Sequence, residues 1–591
     1  MKPVDILHPL ASESDLDDES IRSGERHAYS EADSDVSFSD SEVSDADIIF
    51  EDDDSTSGES VSSSSFPPFE NLRSYQSEYN SMLTPSDTKL SVGEILLMVL
   101  SMASMHNFSL SAIVDITKML NVIFNTTSFP ETRYLFKKIF NPKHKMDVHI
   151  LCNFCEAYLG QKPTDKANSF LVCSHCGQKN NVNGYSYDYS FVTIGADNQI
   201  REIIKEFPQI LDRELPAGDA FSDFCDGSNY QQGIQESSQS FISCTFNCDG
   251  TPISNCSSTS IWPIYPMINE LPIEVRCGKM VLAGLWYGKM KPKMRVFLKQ
   301  FVESMNTLRE KGLKVKLGNV TKNVKVFTLC CCVDSVARPP MQGISDVRGF
   351  GSCSWCLHPG ECVEHSLKFP YKNPGPPART ESNFRSNYMA SFADKKKVMG
   401  VTAVSALINL EGFSMIWGFV PDYMHCCLLG IVKRFLNSWL SHTGKQYYIG
   451  SQANVSYLDS LEANISPPQM LKRLPVILTN RNFMKAREYE NWFLFYSVPL
   501  LQGTLPTKFL NHWKLLVKSI RILPQNRITS DEVDESQLML EEFVNKTEVL
   551  YGKNEMTYNI HQLLHLPESV RRWGPLWAHN GYPFECENGC L

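Results

Sequence analysis

Two β-prone runs, residues 241–248 and 324–333, each end at an aspartate, Asp249 and Asp334, and the sequence between them specifies two more strands and one helix. The first run (FISCTFNC) is mostly apolar and stops at Asp249-Gly250, a dipeptide that favours turns. Residues 260–268 (SIWPIYPMI) are β-prone, but Pro263 and Pro266 remove ladder donors and predict an edge or irregular strand. Residues 279–286 (KMVLAGLW) form a cleaner buried run. From Lys291 the period changes. Met294, Phe297, Leu298, Phe301, Met305 and Leu308 recur at three and four with charges between them, and Gly312 stands where a helix should stop. The last run (VKVFTLCCCV) is nearly all apolar, as a strand buried on both faces should be. In a twisted sheet the first and fourth strands can lie side by side. Asp249 and Asp334 then meet at one edge, where two carboxylates can share a metal ion.

At 591 residues the chain predicts two to four domains. The net charge of -10 is uneven: residues 1–60 carry nineteen Asp/Glu against three Lys/Arg, which leaves 47 acids against 53 bases in the remainder. That small basic excess permits nucleic-acid contact without demonstrating it. No run of 18 apolar residues and no secretory signal pattern is present, so an intracellular protein is expected. The 19 cysteines fall in C-x2-C pairs and apolar strands, which suits metal binding and a reducing compartment better than a disulfide framework.

Residues 1–88 are rich in Ser, Asp and Glu and too poor in apolar side chains to offset the entropy of ordering, so a disordered acidic tail is expected, its serines set among acids as acidophilic kinases prefer. Residues 89–145 show helical periodicity and predict a small helical region. Within residues 146–185, Cys152-x2-Cys155 and Cys173-x2-Cys176, seventeen residues apart, predict a zinc ribbon with four thiolate ligands. Residues 186–238 show little periodicity and read as a linker. Residues 239–401 hold the strands above and a second C-x2-C pair, Cys353 and Cys356, another expected zinc site. Its other ligands are either local, Cys362 and His365, or distant, Asp422 and His425, which are three apart and share a helix face. A plainer role for Asp422 is an N-cap, and for His425 a hydrogen-bonded buried histidine. Residues 402–570 are mainly helical by pattern, and residues 571–591 carry two acids, Glu585 and Glu587, in the last seven positions.

Taken in order, Asp249-Gly250, Ser260-Ile-Trp-Pro-Ile-Tyr, Ile268-Asn-Glu-Leu-Pro272, Val333-Asp334 with C-x2-C downstream, Asp422-x2-His425 and Tyr582-Pro-Phe-Glu585 resemble the transposases of CACTA-type DNA transposons over residues 240–591. The resemblance implies an α/β, RNase H-like mixed sheet (β-β-β-α-β, then helices) with a large helical insertion before the third acid. It implies a catalytic triad of Asp249, Asp334 and Glu585, with Glu587 as the alternative third acid, around Mg²⁺ or Mn²⁺. It also implies metal-dependent cleavage and strand transfer of DNA at transposon terminal repeats, action in the nucleus and a homo-oligomer, with neither membrane nor small-molecule substrate. Apart from the resemblance, Lys395-Lys396-Lys397 reads as a nuclear-import patch or, as is more common for such a run, a solvated face. In the family the helix bearing the third acid continues well past it, whereas here six residues follow Glu585, so a truncated or domesticated DNA- or chromatin-binding protein without catalytic activity is the competing expectation. A cysteine hydrolase is disfavoured, because the cysteines near His425 lie in an apolar stretch.

Overall fold

The computed structural model describes residues 90–589, apart from 107, 140–145, 164–169, 183–186, 213–217, 235–239, 254–258, 469–470 and 472. The acidic tail lies outside the described residues. Two compact units are present, divided at Lys145. The smaller contains the helices Val92–Met105, Leu110–Ile123 and Arg133–Ile139. Ser91 and Glu94 close a capping box at the first of these, and Val99, Ala103, Ile113, Val114 and Phe136 form its small core.

The larger unit is built on a nine-stranded mixed sheet. In chain order its strands are β1 (Met146–Leu151), β2 (Tyr158–Gln161), β3 (Ser190–Ile194), β4 (Phe241–Asn247), β5 (Thr251–Pro252), β6 (Ser260–Ile268), β7 (Gly284–Gly288), β8 (Leu313–Leu317) and β9 (Val320–Cys331). Their spatial order is β8-β9-β4-β6-β7-β3-β1-β2, with β5 paired to β6. Only the β4–β9 pair is parallel. The remaining pairs are antiparallel. The helix Met294–Lys311 buries Met294, Phe297, Leu298, Phe301, Val302, Met305 and Leu308 and ends at Gly312, whose φ of 71° is the left-handed conformation favoured there by glycine. It covers the sheet beside β9, and the crossover it makes is what allows β9 to return parallel to β4.

Three expectations change. Residues 186–238 are not a linker: β3 is an interior strand between β7 and β1, and the helix Ala196–Glu206 buries Ile200, Ile203 and Ile204. A five-residue strand is too short to register as a period. The cysteine-bearing segment is likewise no separate domain, because β1 and β2 continue the same sheet. Third, β6 is central rather than an edge. Each of its prolines has a ladder on one side only: Pro263 pairs with Leu285 of β7 and lies past the last β4 pair, Asn247 with Tyr265, while Pro266 pairs with Phe246 of β4 and lies past the last β7 pair, Gly284 with Ile264. An unneeded donor on one flank removes the penalty.

After the sheet the chain is mainly helical, and residues from 423 to 576 enclose their own core around Trp439, Trp492 and Trp513. Among the described residues no helix is long and apolar enough to cross a membrane. One buried acid marks this block. Glu462, 1 % exposed, lies near the Leu478 backbone N–H without a well-formed hydrogen bond to either oxygen. Burial, with Asp459 nearby, pushes its carboxyl up to about 8. A raised acid stabilises the fold in its neutral form, so its contribution is fully present below about pH 4.5 and is lost as pH rises through about 8. Glu462→Gln is therefore expected to keep a melting temperature at pH 8.5 that the parent loses relative to pH 5, a difference on the order of 1–4 kcal/mol. Parallel melting curves for both proteins across that range check it.

Candidate active site and metal clusters

The register of β4 on β9 sets the first two acids level. The pairs run from Phe241 opposite Lys325 to Phe246 opposite Cys331, and Asp249 and Asp334 each stand three residues past that last pair. The strands are still tied beyond it, since Cys332 N donates to Phe246 O at 2.9 Å and Asn247 Nδ2 to Cys332 O at 2.7 Å. Asp249 Oδ1 accepts the Gly250 N–H at 2.7 Å. Glycine is required at 250: a Cβ there would stand 2.3 Å from the Trp262 indole, which walls the turn. Asp334 Oδ1 accepts the Val336 and Ala337 N–H groups at 2.8 and 2.6 Å and so closes the turn that leads into the short helix Arg338–Gln342.

Glu585 reaches the same place from the helix Tyr582–Asn588. What holds that helix is Asp422, a carboxylate 3 % exposed. Its Oδ1 accepts the N–H of Gly581, the residue ahead of the helix, at 2.8 Å, and its Oδ2 accepts the His425 backbone N–H at 3.1 Å and stands 2.5 Å from His425 Nδ1. A side chain at 581 would crowd Asp422, whose oxygens lie 3.1 and 3.3 Å from a Cβ built there. His425, in the π-helical segment Met424–Val432, turns Nε2 towards Glu585 Oε1 at 3.9 Å. Widened turns of this kind re-aim side chains.

The electrostatics are those of crowded negative charge. Burial, then repulsion from Asp334 and Glu585, pushes the Asp249 carboxyl well above the usual range, with His425 opposing. Burial disfavours a charged His425, but Asp422, Asp334 and Glu585 outweigh it and raise the ring to about 10. Asp422 is held below its ordinary value despite burial, chiefly by its bond to His425. Of the two terminal acids, it is Glu585 that interacts with His425 and Asp249; burial alone raises Glu587.

Asp422 and His425 thus sit with the acids and not with Cys353 and Cys356. The latter pair meets His561 and His565 instead, all four ligand atoms lying within 4.8 Å of one another. The separations are 3.5 Å for Cys353 Sγ to Cys356 Sγ, 3.3 Å for Cys353 Sγ to His565 Nε2 and for Cys356 Sγ to His561 Nε2, and 3.4 Å between the two Nε2 atoms. A tetrahedron with Zn–S of about 2.3 Å and Zn–N of about 2.0–2.1 Å has edges of about 3.3–3.8 Å, so the donor set fits zinc. Burial opposes ionisation of Cys353, but Cys356, His565 and His561 together hold it well below the ordinary thiol range, while its bond to Cys353, and then burial, push Cys356 up. Cys362, an exposed residue, and His365 are not in this set: residues 364 and 365, with φ of 46° and 65°, make the turn between the strands Glu361–Val363 and Ser366–Lys368. The sequence signal for the true partners was His561-x3-His565, a spacing that puts two rings on one helical face.

Cys152, Cys155, Cys173 and Cys176 form the second group able to hold a metal, with Cys152 Sγ 3.5 Å from Cys176 Sγ and Cys155 Sγ 3.6 Å from Cys173 Sγ. Burial opposes it, yet the Phe154 and Cys155 N–H groups, Asn180 and Cys176 bring Cys152 down to about 6, while Cys155 and Cys176 are raised, so without a metal the clustered thiols ionise unequally. The three acids are not drawn so tightly: among the described residues, only the two cysteine-containing groups have all their ligand atoms within 4.8 Å. No protein-family model matches the chain, and no curated protein is significantly similar to it.

Proposed function

We propose that this chain is a DNA transposase of RNase H-like fold, acting on DNA in the nucleus as a homo-oligomer and cleaving and joining strands at transposon ends. The observation that carries the reading is the convergence of Asp249, Asp334 and Glu585, two from the level exits of adjacent parallel strands and one from a helix anchored by Asp422. Hard carboxylate oxygens that face one place are a donor set for Mg²⁺ or Mn²⁺. Such ions, when bound, stabilise charge on the attacking and leaving oxygens of a phosphodiester. The chain's own contributions are fixed geometry and charge balance. Asp249 and Asp334 would hold the ions, Glu585 would complete the set, and His425 supplies a cation beside them, oriented by Asp422.

The test is strand nicking of terminal-repeat DNA by the full chain with Mg²⁺ or Mn²⁺, against the same mixture with EDTA. Cation-dependent nicking is expected. A chain that binds this DNA but never cuts it would be the transposase-derived DNA- or chromatin-binding protein that forms the alternative.

A further inference from the structure

The turn that carries Asp334 is tied to the Cys353/Cys356/His561/His565 cluster by one buried cation, Arg338. Its side chain is 1 % exposed, and among the described residues no carboxylate pairs with it. Nη2 donates to Tyr558 Oη at 3.1 Å, Gln562 Oε1 at 3.3 Å and Ser335 Oγ at 3.4 Å. Nε and Nη1 are buried without a hydrogen bond, and Cζ lies 4.6 Å from the centre of the Trp355 ring. On one side Arg338 closes the acid's own turn, its N–H reaching Asp334 O at 3.2 Å while Asp334 Oδ1 takes the Val336 and Ala337 N–H groups. On the other side its contacts neighbour the metal ligands: Gln562 follows His561, and Trp355 lies between Cys353 and Cys356 with its ring 5.3 Å from that of His565. Gln562 Nε2 also reaches back to Ser335 Oγ at 3.1 Å.

A guanidinium taken from water without a carboxylate stays in place only while its surroundings are over-determined. Here those surroundings are the aromatic face and amide that the cluster's four ligands hold together. We propose that Arg338 is a positioning residue that makes the placement of the Asp334 carboxylate depend on a closed Cys353/Cys356/His561/His565 metal cluster. The proposal rests on reading Asp334 as a metal-binding acid. Opening the cluster would separate Trp355 from Gln562 and release the turn from residue 334 to residue 338.

The experiment is a hydrogen-exchange cycle on the full chain carrying zinc, comparing parent, Cys356→Ser, Arg338→Met and the double variant, read at the peptide covering residues 334–342. Cys356→Ser and Arg338→Met are each expected to speed exchange there at least tenfold, and the double variant less than twofold beyond either, with one zinc retained at the Cys152 group throughout. Parental exchange in Arg338→Met, or two effects that multiply independently, would overturn the linkage. If Arg338→Met does not fold, Arg338→Lys, which keeps the charge but not the planar fork, decides by the same readings. Mn²⁺ binding followed by electron paramagnetic resonance, with Asp334→Asn as blank, should weaken about tenfold in Arg338→Met. A parent chain that binds no Mn²⁺ refutes the metal-acid reading instead, and the exchange cycle still decides the linkage.

Discussion

Asp249→Asn is expected to abolish cation-dependent strand cleavage, by at least about 1000-fold or about 4 kcal/mol of barrier, while making the protein more stable without metal. The two halves of this result have one cause. The Asp249 carboxyl is pushed well above its usual range by burial and by Asp334 and Glu585, so its charged form costs the folded state. The stability associated with the neutral carboxyl is present below its ordinary value and is lost as pH rises through the raised one. Asparagine keeps the shape and removes the charge. At pH 7.5 in EDTA the variant should therefore melt above the parent, and addition of Mg²⁺ should raise the melting temperature of the parent only, because a ligand that binds the native state stabilises it by mass action. Asp334→Asn should lose cleavage equally but gain less, since Asp334 Oδ1 already accepts two backbone N–H groups of its own turn. Calorimetry with and without Mg²⁺, beside the nicking assay, separates the outcomes. An Asp249→Asn protein that still cuts, or that melts below the parent in EDTA, would refute this account of the acids.

The second large effect concerns zinc. The purified chain is expected to hold two equivalents, one at each cysteine-containing group, and Cys356→Ser to hold one. Structural zinc contributes about 10–16 kcal/mol of apparent binding energy in small domains, comparable to or greater than the whole stability of an ordinary domain. The Cys353 cluster joins a loop after β9 to helices more than 200 positions later, His561 and His565. Losing it should lower the larger unit's melting temperature markedly and leave it folded at room temperature, held by the nine-stranded sheet and the core of the helical block. Metal analysis and melting curves for parent, Cys356→Ser and His561→Ala provide the check; a parent chain with less than one equivalent of zinc contradicts the assignment.

Much of the sheet was legible from periodicity alone. The adjacency of β4 and β9 follows from four strands and one helix in the right order, and the spacing marks the apolar face of the helix Met294–Lys311 apart from Val302. What escaped were elements below the length at which a pattern repeats, such as β3, and the hairpin of β8 with β9, whose alternating Lys314 and Lys316 look like surface charge in isolation. The central place of β6 was hidden because a proline's cost depends on which flank lacks a partner. The Cys152 group was visible from its paired spacing. For Cys353 and Cys356 the sequence offered several histidines and acids at workable intervals, and only the packing of the helical block selects His561 and His565. An N-cap is the plain reading of Asp422 from sequence, and it does accept local N–H groups; its reach to Gly581, 159 positions away, has no local signature.

The separation of the acids along the chain has a consequence for biosynthesis. Residues 334 and 585 are 251 positions apart, so at about 5–20 residues per second a ribosome needs about 12–50 s to make the third acid after the second. Throughout that interval the nascent chain owns two carboxylates and lacks both Glu585 and the Gly581 amide that Asp422 grips. On the proposed chemistry, an unfinished copy is harmless to the genome, and competence to cut arrives only once the helical block has folded.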